Sequence, residues 1–483
     1  MNILIITGKL AENTVKRSAG NNADVLVLDI EVAAFTTPNL LHRYLPAKKY
    51  DLILIPGIVS SDFNDLEKEI DTPIRLGPKH AVDIGFILRF AEKTEFSGKI
   101  PACELLLEKR RIDAIKNISE LEERSKALFF AGKVKIGGNS RIKVMAEVVD
   151  AGHLLEDKLS NRISYFQENG ADIIDLGMSM DTTEKEAIRA VRIAKEVSSI
   201  PLSMDTLDPG LINAGLEAGI DIVLSLNSKN MDEVRNNIIK KSRAAVIIPD
   251  NPNDIESLFT NIGTARNSGI QNLIADPVLE PAGHGLAGSI SRYYEFRKRD
   301  LTTPLFFGAG NVTELIDADS IGVNAILSGI AMEFDAAILF TPEYSDKACG
   351  SVFELKTASR MMMLAKERAS SPKDLGLDLL VLKEKRRREF TMEPEGSITA
   401  KAAEKWHLDP AGCFKIEISE GGKIIAKHKN ASISGKTARE VVDTILEHGL
   451  VTRPDHAAYL GRELMKAELA LKFKRSYSQD DEF

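Results

Sequence analysis

Cysteine is nearly missing from this chain. Cys103, Cys349 and Cys413 are the only three in 483 residues, far apart and odd in number. That excludes a disulfide framework and a paired-cysteine metal site, and it fits a reducing cytoplasm. Aromatic residues are sparse, at 6%, with a single tryptophan, Trp406. No apolar run approaches the ~20 residues that span a bilayer, and the start, Met-Asn-Ile-Leu-Ile-Ile-Thr-Gly-Lys, has neither the charged region nor the cleavage site of a signal peptide. No strong positive charge is present either: the net charge is −8, which speaks against nucleic acid as a general partner. GxGxxG and GxxxxGK[ST] are both missing, so the common nucleotide fingerprints do not apply.

What is present is a repeating pattern. In Gly170–Thr206, Ala171-Asp172-Ile173-Ile174-Asp175 is a short apolar run ending on a carboxylate, Glu184–Ser198 is amphipathic at helical spacing, and Ile200-Pro201-Leu202-Ser203-Met204-Asp205 is a second run ending on a carboxylate. Buried parallel strands joined by a crossover helix read this way. The alternation continues through strand candidates at 142–149, 172–176, 201–205, 221–225, 244–248, 272–276, 304–308 and 336–341. Eight strands in this span predict an α/β fold, a closed (β/α)₈ TIM barrel, with chemistry at the carboxyl ends of its strands.

The barrel is flanked on both sides. Strand candidates at 2–7, 25–28 and 51–55, with helical stretches between them, predict a small open α/β domain. Thr7-Gly8-Lys9 and Pro56-Gly57 then lie at strand ends, either as a phosphate site or as ordinary turns. Residues 103–130 read as a long connecting helix and 377–383 as a strand. Phe414–Ile418 and Lys423–His428 read as a hairpin across a Gly-Gly turn, followed by helices at 437–447 and 455–473. Domains are therefore expected at 1–130, 131–369 and 370–483, the last a small α+β domain. His456, Tyr459 and Glu463 share one helical face, read here as packed polar residues, with Asp455 as N-cap. Lys385-Arg386-Arg387-Arg388 reads as a solvated face.

Asp175, Asp205 and Asp276 each end a barrel strand and would converge at the top face. Converging carboxylates suit a divalent metal or a ligand rich in N–H donors. No histidine accompanies them at ligand spacing, which disfavours zinc; magnesium shared with substrate phosphates fits the oxygen set. Glu147, near the end of the first strand, is a further acid.

GADIIDLG, PLSMDT and ADPVLEP resemble the motifs of the pterin-binding barrels, over roughly residues 140–369. The resemblance implies that Asp205 and Asp276 accept the paired N–H donors of the pterin edge, with Asp175 holding the loop geometry. It adds Asn311 and Asn227 as pterin contacts. Asn311-Val312-Thr313 is similar to the Asn-Val-Ser of pterin-dependent methyltransferases. The Ser-Arg-Lys and Arg-x-His that dihydropteroate synthases use for the leaving diphosphate have no counterpart in Phe307–Thr313 or Leu339–Glu343, which leaves Lys347, His284 and Arg292 as phosphate-binding candidates. Over the whole chain, TGKLAENTV, GPKHAVD, LDPAGCFKI and DHAAYLGRELMKAELALK resemble the archaeal dihydropteroate synthase-like proteins. That resemblance implies a transferase of tetrahydromethanopterin biosynthesis, a pterin as substrate or cofactor and an arylamine phosphate as partner, with a homodimer as the assembly to test. Methyl transfer and non-catalytic pterin binding are the alternatives.

Overall fold

The structure is a computed structural model that describes residues 1–383, 396–401 and 407–481. The chain forms two compact units, residues 1–342 with 351–379, and residues 343–350 with 380–483.

In the first unit, β1 (Ile3–Thr7), β2 (Asp24–Val27), β3 (Leu52–Ile55) and β4 (Ile74–Leu76) pair in parallel in the order β2-β1-β3-β4. The apolar runs ILIIT and LILI are buried along their whole length, as strands covered by helices on both faces must be. The helix Leu107–Arg124 follows and is shorter than the stretch 103–130 suggested. A hairpin, β5 (Phe129–Ala131) and β6 (Val134–Ile136), begins at the end of that stretch and runs past it. Its Gly132 and Gly137 adopt left-handed φ values of 54° and 66° and lie against Pro201 and Pro304, at the amino ends of two barrel strands. Ala131 and Ile136 share the core inside the barrel.

That barrel closes from β7 (Lys143–Val148), β8 (Ile173–Gly177), β9 (Leu202–Asp205), β10 (Ile222–Leu226), β11 (Ala244–Ile247), β12 (Asn272–Ala275), β13 (Leu305–Phe307) and β14 (Ala336–Thr341), with β14 pairing back onto β7. The crossover helices start where the sequence supplies caps. Thr183 and Glu186 form a reciprocal capping box, and Asp208 caps the helix that opens with Pro209. The alternation of each strand sorts its side chains. Val144, Ala146, Ile174, Leu176 and Met204 pack outward against the helices, and Met145, Ile173, Ile274 and Phe306 fill the interior.

The expected strand at 377–383 does not form. Leu377 and Leu379 instead pack with Ala114, Ile118, Met361 and Leu364 on two helices, so their apolar surface is satisfied without a partner strand. Within the second unit, β15 (Phe414–Ile418), β16 (Ile424–His428) and β17 (Ala431–Gly435) make an antiparallel sheet with the helices Ala438–Glu447 and Pro454–Lys472. The second helix begins at Pro454 with Arg453 at the cap, so Asp455 is not the N-cap; it pairs with Arg453 at 2.9 Å. His456 bonds Asp409 at 3.1 Å, Tyr459 bonds Asp480 at 2.7 Å, and Glu463 takes Lys466 and Tyr477 at 2.9 and 3.0 Å. Those partners are what a packed polar face requires. The basic cluster at 385–388 and Trp406 lie outside the described residues. No described helix is long and apolar enough to cross a membrane.

Candidate functional site

Strand alternation decides which acids meet. On β7, Lys143, Met145 and Glu147 point inward; on β8, Ile173 and Asp175; on β9, Ser203 and Asp205. The parallel register sets Glu147 opposite Asp175, and Asp175 opposite Ser203. One carboxylate oxygen each from Glu147, Asp175 and Asp205 lies within 4.8 Å of the others. Gly177 makes room for this arrangement: a Cβ there would come within 2.3 Å of Glu147 Oε1.

Asp175 is completely buried. Its Oδ1 accepts the Ser203 hydroxyl, and its Oδ2 has no hydrogen-bond partner. Among the described residues, no lysine or arginine pairs with Glu147, Asp175 or Asp205. Their proton affinities rise accordingly. Burial, then the Asp205 and Glu314 charges, push Glu147 up to about 7. Burial and neighbouring Asp276 push Asp205 up to about 7. Burial, Asp205 and Glu147 raise Asp175 well above the ordinary carboxylate value.

Asp276 directly follows β12. Burial raises it to about 6, partly offset by the Val278 N–H at 2.8 Å and the Tyr293 hydroxyl at 2.9 Å. Tyr293 is itself fully buried, with its hydroxyl 2.8 Å from the Phe306 carbonyl oxygen. The loop after Asp276 is braced by Arg292, which donates to Pro277 O (3.3 Å), Val278 O (3.0 Å), Asn253 Oδ1 (2.7 Å) and Glu280 Oε2 (2.8 Å). Asn311 Nδ2 donates to Leu279 O at 2.8 Å, which fastens the short helix Gly310–Thr313 to the same loop.

The remaining sequence candidates have definite places. Asn227 follows β10 and is buried; its Oδ1 accepts the Lys229 N–H at 3.0 Å. His284 is exposed in the turn before the helix Leu286–Arg299. Lys347 belongs to the segment 343–350 of the second unit. The structure therefore brings Glu147, Asp175, Asp205 and Asp276 into one electrostatic cluster, with Asn311 on the adjoining loop. It commits the Arg292 guanidinium to that loop. Ser203 and Tyr293, which position two of the acids, were not singled out in the sequence. Ser203 carries a faint signal, two places before Asp205 on the same inward face; Tyr293 carries none.

Such an arrangement accepts hydrogen bonds from a donor-rich ligand edge or collects a cation. The all-carboxylate set of Glu147, Asp175 and Asp205 fits a hard divalent ion such as magnesium better than zinc.

Residues 156–267 match the family described as pterin binding enzyme, residues 1–79 a family of unknown function, and residues 408–480 the family PterinBD-DUF4346. An uncharacterized protein of Methanocaldococcus jannaschii is 39% identical over 99% of this chain and 98% of its own length. The gamma 2 subunit of the acetyl-CoA decarbonylase/synthase complex of Methanosarcina thermophila is 24% identical over 54% of this chain and 60% of that subunit. Among solved structures, dihydropteroate synthase of Yersinia pestis with a sulfonamide drug matches with a TM-score of 0.41 at 18% identity, over 50% of this chain and 98% of that one. The full-length relative shows that this chain belongs to one family with that Methanocaldococcus jannaschii protein, and residues 156–267 carry its match to the pterin binding enzymes.

Proposed function

We propose that the chain is a dihydropteroate synthase-like transferase of tetrahydromethanopterin biosynthesis, which joins a hydroxymethyl-dihydropterin diphosphate to an arylamine. The observation that carries this reading is the pair Asp205 and Asp276. They are half-buried at the barrel top, pushed up to about 7 and about 6, and neither forms an ion pair shorter than 4 Å among the described residues. An amino-pyrimidinone edge presents adjacent N–H donors, and an ionised carboxylate accepts two of them with fixed geometry. In the reaction the arylamine nitrogen forms a bond to the pterin methylene carbon, the bond from that carbon to the diphosphate oxygen breaks, and the amine proton passes to a base. Asp205 and Asp276 orient the ring, Asn311 contacts it from the adjoining loop, and Asn227 borders it after β10.

A leaving diphosphate needs positive charge. Arg292 is engaged in bracing its own loop, so magnesium is the natural source. Glu147 and Asp175 with one oxygen of Asp205 would hold the ion, which when bound would neutralise the departing phosphates.

A second reading is methyl transfer from a methylated pterin. The observation favouring it is Asn311, whose Nδ2 is held by Leu279 O on the loop that follows Asp276. Calorimetric titration with hydroxymethyl-dihydropterin diphosphate, the same pterin without diphosphate, and methyl-tetrahydromethanopterin separates the readings, with Asp205→Ala beside the wild type. Tighter binding of the diphosphate, lost in the variant, together with arylamine-dependent diphosphate release, supports the synthase. Preference for the methylated pterin transfers the assignment to methyl transfer, and binding without turnover to a non-catalytic pterin-binding protein. No binding of any of the three refutes pterin recognition.

A further inference from the structure

We propose that the amino-terminal sheet carries a second small-molecule site, separate from the barrel, which takes a neutral and mostly apolar ligand of one-ring size. Chain topology gives the place. In the order β2-β1-β3-β4 the chain leaves β1 towards β2 on one side, while β3 lies on the other. Open parallel sheets bind ligands at such a switch point, outside the carboxyl ends of the strands. A cavity of about 190 Å³ lies there, walled by the segments that follow all four strands. An apolar cavity of ~150 Å³ is enough to hold benzene.

The lining gives the ligand class. Pro56, Pro78, Ala33 and Ala81 contribute flat or small apolar surfaces. Leu10, Val32 and Ile58 border the cavity yet remain 74%, 41% and 52% exposed. Three large apolar side chains left in water around one opening are the usual mark of a binding surface. The floor is stiff: Gly57 packs so closely on the turn after β4 that a Cβ would meet Gly77 O at 2.4 Å. Charge excludes the phosphate site that Thr7-Gly8-Lys9 suggested. The Lys9 ammonium is paired with Asp29 and the Lys79 ammonium with Glu104 at 2.7 Å, while Glu31 stands on the lining. With both lysines neutralised and a carboxylate present, an anion gains nothing there.

The test uses the full chain and four probes, toluene, aniline, benzoate and inorganic phosphate, followed by saturation-transfer NMR. Toluene and aniline are expected to bind in the millimolar range or tighter and to compete with each other, with benzoate at least tenfold weaker and phosphate not competing. Ala33→Phe and Ala81→Phe fill the cavity and should each weaken toluene at least tenfold, while calorimetric pterin binding and the circular dichroism spectrum stay unchanged, which separates a filled cavity from a misfolded variant. Failure of toluene and aniline to bind, indifference to both substitutions, or a preference for benzoate or phosphate would overturn the proposal. None of these outcomes bears on the barrel, whose own test is the pterin titration.

Discussion

Replacing Asp205 by asparagine should flatten the pH dependence of stability. In the folded protein the Asp205 carboxyl is pushed up from 3.8 to about 7 by burial and by Asp276. A rise of that size, at ~1.4 kcal/mol for each tenfold change in proton affinity, amounts to roughly 4 kcal/mol of differential stability. The sign follows from proton counting. The folded state holds this proton more tightly than the unfolded chain, so its contribution is fully present below about pH 4 and is lost as the pH climbs through about 7. Between pH 5 and pH 8 the wild type should therefore lose about 3 kcal/mol relative to Asp205→Asn, and above pH 8 the two should run in parallel. Asparagine keeps the size and removes the titration, so groups outside the acid cluster cancel in the difference. Urea unfolding followed by circular dichroism at four pH values on both proteins measures it. Parallel curves throughout pH 5 to 8 would show that Asp205 is solvated or paired in solution, and would refute an unpaired acid cluster at the barrel top.

The same proton should be expelled by the ligand. A pterin that donates N–H groups to the ionised carboxylate should release close to one proton per site at pH 6.5 and almost none at pH 8.5, read from calorimetry in buffers of different ionisation enthalpy; equal heats in all buffers would exclude that mode. Ser203→Ala leaves the Asp175 carboxyl without its hydroxyl donor and should cost ~1–3 kcal/mol, more at pH 8 than at pH 5 because the ionised form needs the donor most. Gly177→Ala places a methyl group on Glu147 Oε1, so Glu147 must turn away; stability should fall by ~1–3 kcal/mol and any magnesium stabilisation of the melting midpoint should vanish. Arg292→Ala frees the loop 277–280, and pterin affinity should drop at least tenfold with little change in the melting midpoint; unaltered affinity would mean that the loop does not shape the site.

The barrel was legible in the sequence because parallel strands buried on both faces leave a signal that local composition cannot imitate: short β-branched runs at regular spacing, each followed by a helical period. IIDLG, LSMD and AILFT form strands within a residue or two of the expected bounds. Elements too short to show a period were not legible. β4 is the three residues Ile74–Leu76, and each strand of the hairpin Phe129–Ile136 is likewise three residues long. The opposite error at 377–383 has a related cause, since alternating leucines look alike whether a strand or two helices cover them. For the site, the sequence placed the acids on strand ends. It could not place Ser203 against Asp175 or Tyr293 against Asp276, because those contacts depend on the stagger of neighbouring strands and on where a helix crosses the barrel.

Comparison of the two ends of the barrel explains why the acids matter. At the amino end, buried charge is matched. Asp172 takes Arg141 at 2.6 Å and Lys356 at 2.7 Å, and those cations hold it well below the usual carboxylate range against the cost of burial; Lys143, inside the barrel, meets Glu122 at 2.8 Å. Removing one member of such a pair leaves the other buried and alone, typically a loss of about 3–5 kcal/mol, so these contacts secure the closure of the barrel. At the carboxyl end the same chain keeps Glu147, Asp175 and Asp205 together with no cation among the described residues, and holds Asp175 Oδ2 without any partner. A fold able to pair its buried charges at one end has no structural need to leave them unpaired at the other. Protons relieve that cluster in the free protein, and under the proposed function a ligand bearing N–H donors or positive charge takes their place, so the unpaired acids supply affinity and selectivity.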